Sequence, residues 1–186
     1  MTRVNWFILV LVFSGSIILL LLIAYSPVFD IRTAAQINNN HNDGTNPVLK
    51  AIQGASQVGG EYLRANVTIK GFELNTEIPV TSELMSKGLS VKNQLKENEA
   101  MLFVFEEPAR HSFWMKDMKF PIDIIWLDSN GKIVHIEGNL EPCPLVFVCP
   151  GYAPNVDSQY VLETVAGFTQ RHNISVGTNV DFKLIR

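Results

Sequence analysis

Between Val4 and Phe29 the chain carries no charged side chain, and Trp6–Tyr25 is nearly all Ile, Leu, Val and Phe. Twenty residues of helix rise about 30 Å, the thickness of a bilayer's hydrocarbon core. Trp6 and Tyr25 stand at the two ends, where amphipathic rings favour the membrane interface. A helix apolar on every face has no side to offer water, so a small soluble core suits it poorly. A cleavable signal has a shorter apolar core, about 7–15 residues, with a small-residue site close behind. Here Pro27 follows Ala24-Tyr25-Ser26 and disfavours a cut there. The expectation is an uncleaved transmembrane anchor over residues 1–26.

Arg3 and the terminal amine flank one end of this run, while Asp30 and Arg32 cancel at the other. The positive-inside rule then puts the N-terminus in the cytoplasm and the C-terminal domain outside it, in a single-pass arrangement. Beyond residue 26 there are 14 basic and 18 acidic residues, a net charge of −4. With no basic run and no Gly-rich phosphate loop, nucleic acid is excluded as the expected partner.

Residues 27–60 read as a flexible tether, because Asn38–Asn46 is polar, aperiodic and rich in turn formers. His41 within it reads as solvated loop rather than a metal ligand. The remainder, 61–186, alternates in short runs. Leu63, Ala65, Val67 and Ile69 interleave with polar residues, and Phe72–Val80 repeats the pattern after Gly71. Thr81 or Ser82 can cap a short helix to Lys87, which Gly88 ends. Met101–Phe105 and Ile122–Asp128 are apolar on both faces, as central strands are. Glu106-Glu107-Pro108 reads as a turn. Asn130-Gly131 predicts a two-residue hairpin turn with both residues at positive φ, placing Val134 and Ile136 inward and His135 and Glu137 outward. A strand over Val161–Ala166, a short helix over 167–173 and a closing strand over Val180–Leu184 complete the domain. The expected class is mainly β, a small β-sandwich or partly open barrel with one or two short helices.

Cys143 and Cys149 lie in a proline-stiffened loop, PCPLVFVCP. In an oxidising compartment they can close a small disulfide loop, and their spacing is not the C-x-x-C of a redox pair. Asn66-Val67-Thr68 and Asn173-Ile174-Ser175 are glycosylation acceptors at Asn66 and Asn173.

Phe113–Asp128, FWMKDMKFPIDIIWLD, is the densest stretch in both apolar bulk and charge. Four motifs occur in order along the domain: Ala100-Met101-Leu102-Phe103, Phe113-Trp114-Met115-Lys116, Pro121-Ile122-Asp123-Ile124, and Val161-Leu162-Glu163 with Ala166-Gly167. In these the chain resembles the domain of unknown function 192 family, also called uncharacterised protein family 0127, over about residues 62–184. Gly88-Leu89 is similar to that family's earlier Gly-Leu element. The resemblance implies a small extracytoplasmic or membrane-tethered β domain and brings no activity with it. Ala100 stands where the pattern usually has Gly, and Asp117-Met118 replaces the usual Asn-Thr.

Three site readings stay open. Trp114 and Lys116, if they share a face with Asp123, would set an aromatic floor beside a cation for a small molecule, a glycan or an envelope protein. Asp123, expected to be partly buried and paired with Lys116 or Arg110, could instead join Glu163 as an acid/base pair. His111, Met115 and Met118, with Met101, could be soft ligands for copper(I), although methionines beside aromatic rings more often fill core gaps. No nucleophile–base motif is visible, and no cofactor is implied. The favoured expectation is a membrane-anchored ligand-binding or interaction module. An envelope-associated enzyme is the alternative, and metal handling the third.

Overall fold

The computed structural model describes residues 47–57, 62–143 and 149–185. The expected anchor and the first part of the tether lie outside these residues. Among the described residues, no helix is long and apolar enough to cross a membrane. Nine strands follow one another as β1 (Tyr62–Ile69), β2 (Phe72–Pro79), β3 (Glu99–Ala109), β4 (Phe113–Trp114), β5 (Ile122–Leu127), β6 (Ile133–Leu140), β7 (Gly151–Tyr152), β8 (Ser158–Val165) and β9 (Val180–Ile185). Among the described residues three short α-helices accompany them, α1 (Pro47–Gln57), α2 (Ser82–Lys87) and α3 (Phe168–Arg171), with a 3₁₀ turn over Gly88–Val91 after α2.

Apolar pattern decides which strands lie inside. β5 is buried at all six positions and β8 at seven of eight, so both need a neighbour on each side and cover on each face. The observed order is β6-β5-β8-β3-β2-β1-β9, with β4 and β7 forming a separate pair. The C-terminal β8 therefore inserts between β5 and β3, antiparallel to both. β2 and β3 run parallel, a pairing that requires the crossover through α2.

The domain is mainly β: among the described residues, one large, mostly open sheet rather than the two broad facing sheets of a sandwich, with the short β4–β7 pair packed on one face through Phe113 and Tyr152. Its outer strands approach each other at one end, where Lys132 bridges Asn179. There the Ile133 N–H donates to Thr178 O at 2.9 Å and the Val180 N–H to Gly131 O at 2.8 Å. One sheet face buries Val67, Leu74, Leu102, Leu162 and Phe168, and the other buries Met101, Phe103, Ile124, Trp126 and Met115. Both faces are dry, which is why β3, β5 and β8 lack polar alternation.

Several elements differ from the sequence expectation. The tether expected over 27–60 contains α1, opened by Pro47 at a position that tolerates a missing N–H. Val48 of α1 is buried in the first core, with Leu49 and Ile52 packed against it, and Gln53 reaches Glu106 Oε1 at 3.3 Å. Val48, Leu49 and Ile52 recur at helical spacing, a stripe short enough to be read as part of the polar tether that precedes it. Glu106-Glu107-Pro108 does not turn; β3 continues to Ala109, irregularly, and rejoins β8 at Ser158.

The hairpin after β5 also departs from expectation. Only Gly131 takes positive φ, at 77°. Asp128 Oδ1 accepts from Asn130 N at 2.8 Å and Lys132 N at 2.9 Å, and Gly131 N donates to Asp128 O. The side-chain bonds of Asp128 favour a longer loop with glycine at its last position over the two-residue turn. The register shifts between Trp126 and Leu127, so Val134 and Ile136 pack on opposite faces. The expected cap is present: Thr81 Oγ1 accepts from Leu84 N at 3.2 Å. The disulfide joins Cys143 and Cys149, with Cα atoms 5.5 Å apart.

Gly131 is pressed against β9: a Cβ there would lie 2.7 Å from Val180 O. Gly131→Ala is expected to lower stability by about 1–3 kcal/mol. In hydrogen exchange, the Ile133 and Val180 amides should lose protection before the amides of β5 and β8. Equal loss throughout would show that the contact does not act locally.

Candidate functional site

Asp123 is fully buried, but neither Lys116 nor Arg110 is its partner. Its Oδ1 accepts from Asn139 N and Gly167 N, both at 2.8 Å, and its Oδ2 from Thr169 N at 2.9 Å and Thr169 Oγ1 at 2.6 Å. The donors come from two places that the pleat makes available. Asn139, at φ 55°, lies in the irregularity of β6 opposite Asp123, and Gly167 and Thr169 open the turn into α3. Backbone N–H groups here do what a cation was expected to do, meeting the lone pairs of a buried carboxylate. Asp123 is a structural clasp.

Glu163 lies on the other side of the sheet. In the β5–β8 ladder Asp123 faces Thr164 and Ile124 faces Glu163. Adjacent residues on a strand point to opposite faces, so the two carboxyl groups cannot act as an acid/base pair. The expected pairing of Asp123 with Glu163 is therefore corrected by register alone. Glu163 is 4% exposed. Burial pushes its carboxyl up to about 8, opposed only by a hydrogen bond from the Leu89 backbone. Its Oε2 and Thr164 Oγ1 are the buried side-chain atoms, among the described residues, with no hydrogen-bond partner.

Glu163 lines a cleft of about 40 Å³. The turn after α2 forms one lip. Gly88 adopts φ 48° and ψ −138°, a conformation only glycine holds without strain; a Cβ there would sit 3.7 Å from Glu163 Oε2 and 3.3 Å from Phe103 Cζ. Met85, Phe103, Phe113 and Met118 make the walls, and Lys87, Trp114 and Lys116 the rim. Trp114 is 55% exposed, and Lys116 Nζ lies 5.4 Å from its ring centroid, within cation–π range. Trp114 and Lys116 thus line the same cleft. Asp123 does not join them; Glu163 takes its place at the floor.

A larger cleft of about 140 Å³ lies where β2 and β3 run parallel, lined by Arg64, Glu77, Lys92 and Glu99. Its carboxylates are paired: Glu77 with Lys92 at 2.9 Å and Glu99 with Lys96 at 3.3 Å. No buried group there lacks a partner, so the smaller cleft is the better candidate.

The methionines of the soft-metal reading, Met101, Met115 and Met118, belong to the second core. His111 stacks on Phe105 with centroids 3.5 Å apart, its ring titrating below the ordinary value because it is partly buried. Met115 and Met101 are wholly buried in the core, and only Met118 lines the cleft. Asn66 sits mid-strand between Asn75 and Lys183, whereas Asn173 stands in an exposed turn at φ 52°. Asp117 also takes a positive φ, 58°. Sequence reasoning missed Met85, Lys87 and Phe103 as lining residues; Gly88 was visible as a helix stop and as part of the Gly-Leu element, not as a lip of a cleft.

The family described as DUF192, an uncharacterized ACR, matches residues 65–182. The chain belongs to this family. Its matched region runs from β1 to β9, so the cleft and the Asp123 clasp both lie inside the family domain. Two solved bacterial structures are similar. One is a candidate transcription regulator from Sinorhizobium meliloti 1021, 26% identical, with a TM-score of 0.58, covering 65% of this chain and 93% of that one. The other, of unknown function, is from Novosphingobium aromaticivorans DSM 12444, 25% identical, with a TM-score of 0.57, covering 64% of this chain and 84% of that one. No curated protein matches the chain.

Two outcomes test these assignments. Asp123→Asn leaves one acceptor oxygen and turns an amide toward donors; urea unfolding should show a loss of roughly 3 kcal/mol or more, and a change below about 1 kcal/mol would remove the clasp. Glu163 binds its proton more tightly folded than unfolded, so its burial costs stability as pH rises from about 4.5 through about 8. At about 1.4 kcal/mol per pH unit, that interval caps the cost at about 5 kcal/mol. Glu163→Gln should therefore match wild type near pH 4 and exceed it increasingly up to pH 9. Parallel stability curves would show that Glu163 is not buried in this way.

Proposed function

We propose that the protein is a ligand-binding module of the cell envelope, held at the membrane by Trp6–Tyr25 with its β domain on the extracytoplasmic side. The observation that carries the binding part is the buried, unpartnered Glu163 Oε2 at the floor of a cleft rimmed by exposed Trp114 and Lys116. An unsatisfied buried polar atom costs about 1–3 kcal/mol, and one that opens on a cleft is relieved by a ligand. A flat indole beside a cation offers area and orientation to the same molecule. The placement outside the membrane rests on the charge-free run and on Arg3 at its inner end, and the Cys143–Cys149 disulfide suits an oxidising compartment.

Catalysis by an Asp123–Glu163 pair has no geometric support, because the two groups project from opposite faces. The regulator description of the S. meliloti relative does not transfer readily, since 15 basic against 18 acidic residues make no footprint for nucleic acid. The test is a thermal-shift screen of the full-length chain in detergent against panels of organic acids, amino acids and saccharides. A hit on wild type should vanish in Trp114→Ala, whose own melting temperature should stay within about 3 °C because the ring is exposed. A hit that Trp114→Ala retains in full, or no hit from any panel, would overturn the reading.

A further inference from the structure

The cleft's chemistry is selective about charge. Glu163 is its sole acidic lining residue, and the charged groups facing it are Lys87 at the end of α2 and Lys116 just after β4. Lys87 is already paired with Glu83 at 2.6 Å. Lys116 has no carboxylate partner among the described residues and rests on the Trp114 ring. From β3 and β5 the buried side chains on this side are apolar: Met101, Phe103, Ile122, Ile124 and Trp126. The deepest polar atom is thus a carboxyl oxygen with no donor opposite it, under a cation that lacks a counter-ion.

We propose that this cleft takes the carboxylate of a small amphiphilic organic acid, shared by a hydrogen bond with the Glu163 carboxyl group and by the Lys116 ammonium at the rim. The inference rests on the ligand-binding reading above and names the class of ligand. One carboxylate oxygen accepts from Glu163, which donates when neutral; the other faces Lys116. An O–H···O⁻ bond between a carboxylic acid and a carboxylate is among the shorter and stronger hydrogen bonds proteins make. A phosphate dianion, with three or four oxygens to satisfy, needs more donors than one carboxyl and one free ammonium supply. A cation would meet two ammonium groups. The floor holds little more than the carboxylate itself, so the apolar body of the acid lies outward, between Met85, Met118 and the Trp114 ring. Gly88 matters here for a second reason: a side chain at that position would crowd the space above Glu163 Oε2.

The experiment compares cyclohexanecarboxylate with cyclohexanecarboxamide, alike in shape and different in charge, on the full-length chain in detergent. The readout is the Trp114 indole N–H signal by NMR, assigned with Trp114→Phe. At pH 6.5 the carboxylate should shift that signal with a dissociation constant on the order of 1 mM, and the amide should bind at least tenfold more weakly. At pH 9 a carboxyl with its midpoint at about 8 is mostly ionised, so wild-type affinity should fall about tenfold. Glu163→Gln, which keeps a donor and cannot ionise, should bind equally at both pH values. Lys116→Ala should weaken the carboxylate at least fivefold at either pH. If the amide binds as well as the acid, the cleft binds ligands but does not read charge, and this inference falls while the ligand-binding reading stands. If neither probe moves Trp114 and the wider panels also fail, both fall. A wild-type affinity flat from pH 6.5 to 9 would remove Glu163 from the contact.

Discussion

The clasp around Asp123 is the contact on which the arrangement of this domain depends. A carboxylate buried at the start of β5 must be met by donors, or the strand could not occupy the centre of a sheet. Four donors meet it, from the β6 irregularity and from the turn between β8 and α3. The carboxylate thus joins three segments that are distant in sequence. It also sets the register of β5 against β8, and a slip of one residue there would turn every apolar side chain to the wrong face. Arg171, two residues beyond Thr169, extends the junction by donating from two nitrogens to both oxygens of Glu97 and from a third to Ala166 O.

Once that register holds, the positions of the other groups follow. Because Asp123 faces Thr164, Glu163 must face the opposite way, into the second core and toward the turn after α2. The clasp and the cleft are therefore two consequences of one strand pairing. One carboxyl is surrounded by donors and serves folding. The other receives a single backbone hydrogen bond and keeps a free oxygen under an opening, an arrangement that folding alone does not favour. The disulfide supports the same region: Cys143 N donates to Met115 O at 3.1 Å, and Gly151–Tyr152 pairs with Phe113–Trp114. The strand that carries Trp114 and leads to Lys116 is thus held from its far side.

Much of the strand content was legible in advance, because period-two alternation in β1 and β2 and two-sided apolar runs in β3, β5 and β8 are local signals. The cap at Thr81 and the stop at Gly88 were legible for the same reason. The Asn130-Gly131 hairpin was read with the wrong loop, since the side chain of Asp128 outbid the intrinsic preference of the dipeptide. α1 was missed because its stability comes from packing Val48, Leu49 and Ile52 on the sheet, which local pattern does not report. At the candidate cleft, Trp114 and Lys116 were singled out from their own chemistry and two-residue spacing, and both line it. Asp123 was assigned the wrong partner and the wrong face, because backbone donors leave no mark in the residue pattern.

The residue string by itself determined the class of the domain, the strands that must be interior, the pair of cysteines able to close a loop, and a carboxylate at Asp123 whose burial calls for partners. These follow from hydrophobic periodicity and from the cost of burying charge, both properties of short segments. Only the tertiary structure decided that β8 inserts between β5 and β3, and hence that Asp123 and Glu163 look away from each other. The reason is that strand order and register are set by contacts between distant segments, whose relative placement no local spacing encodes.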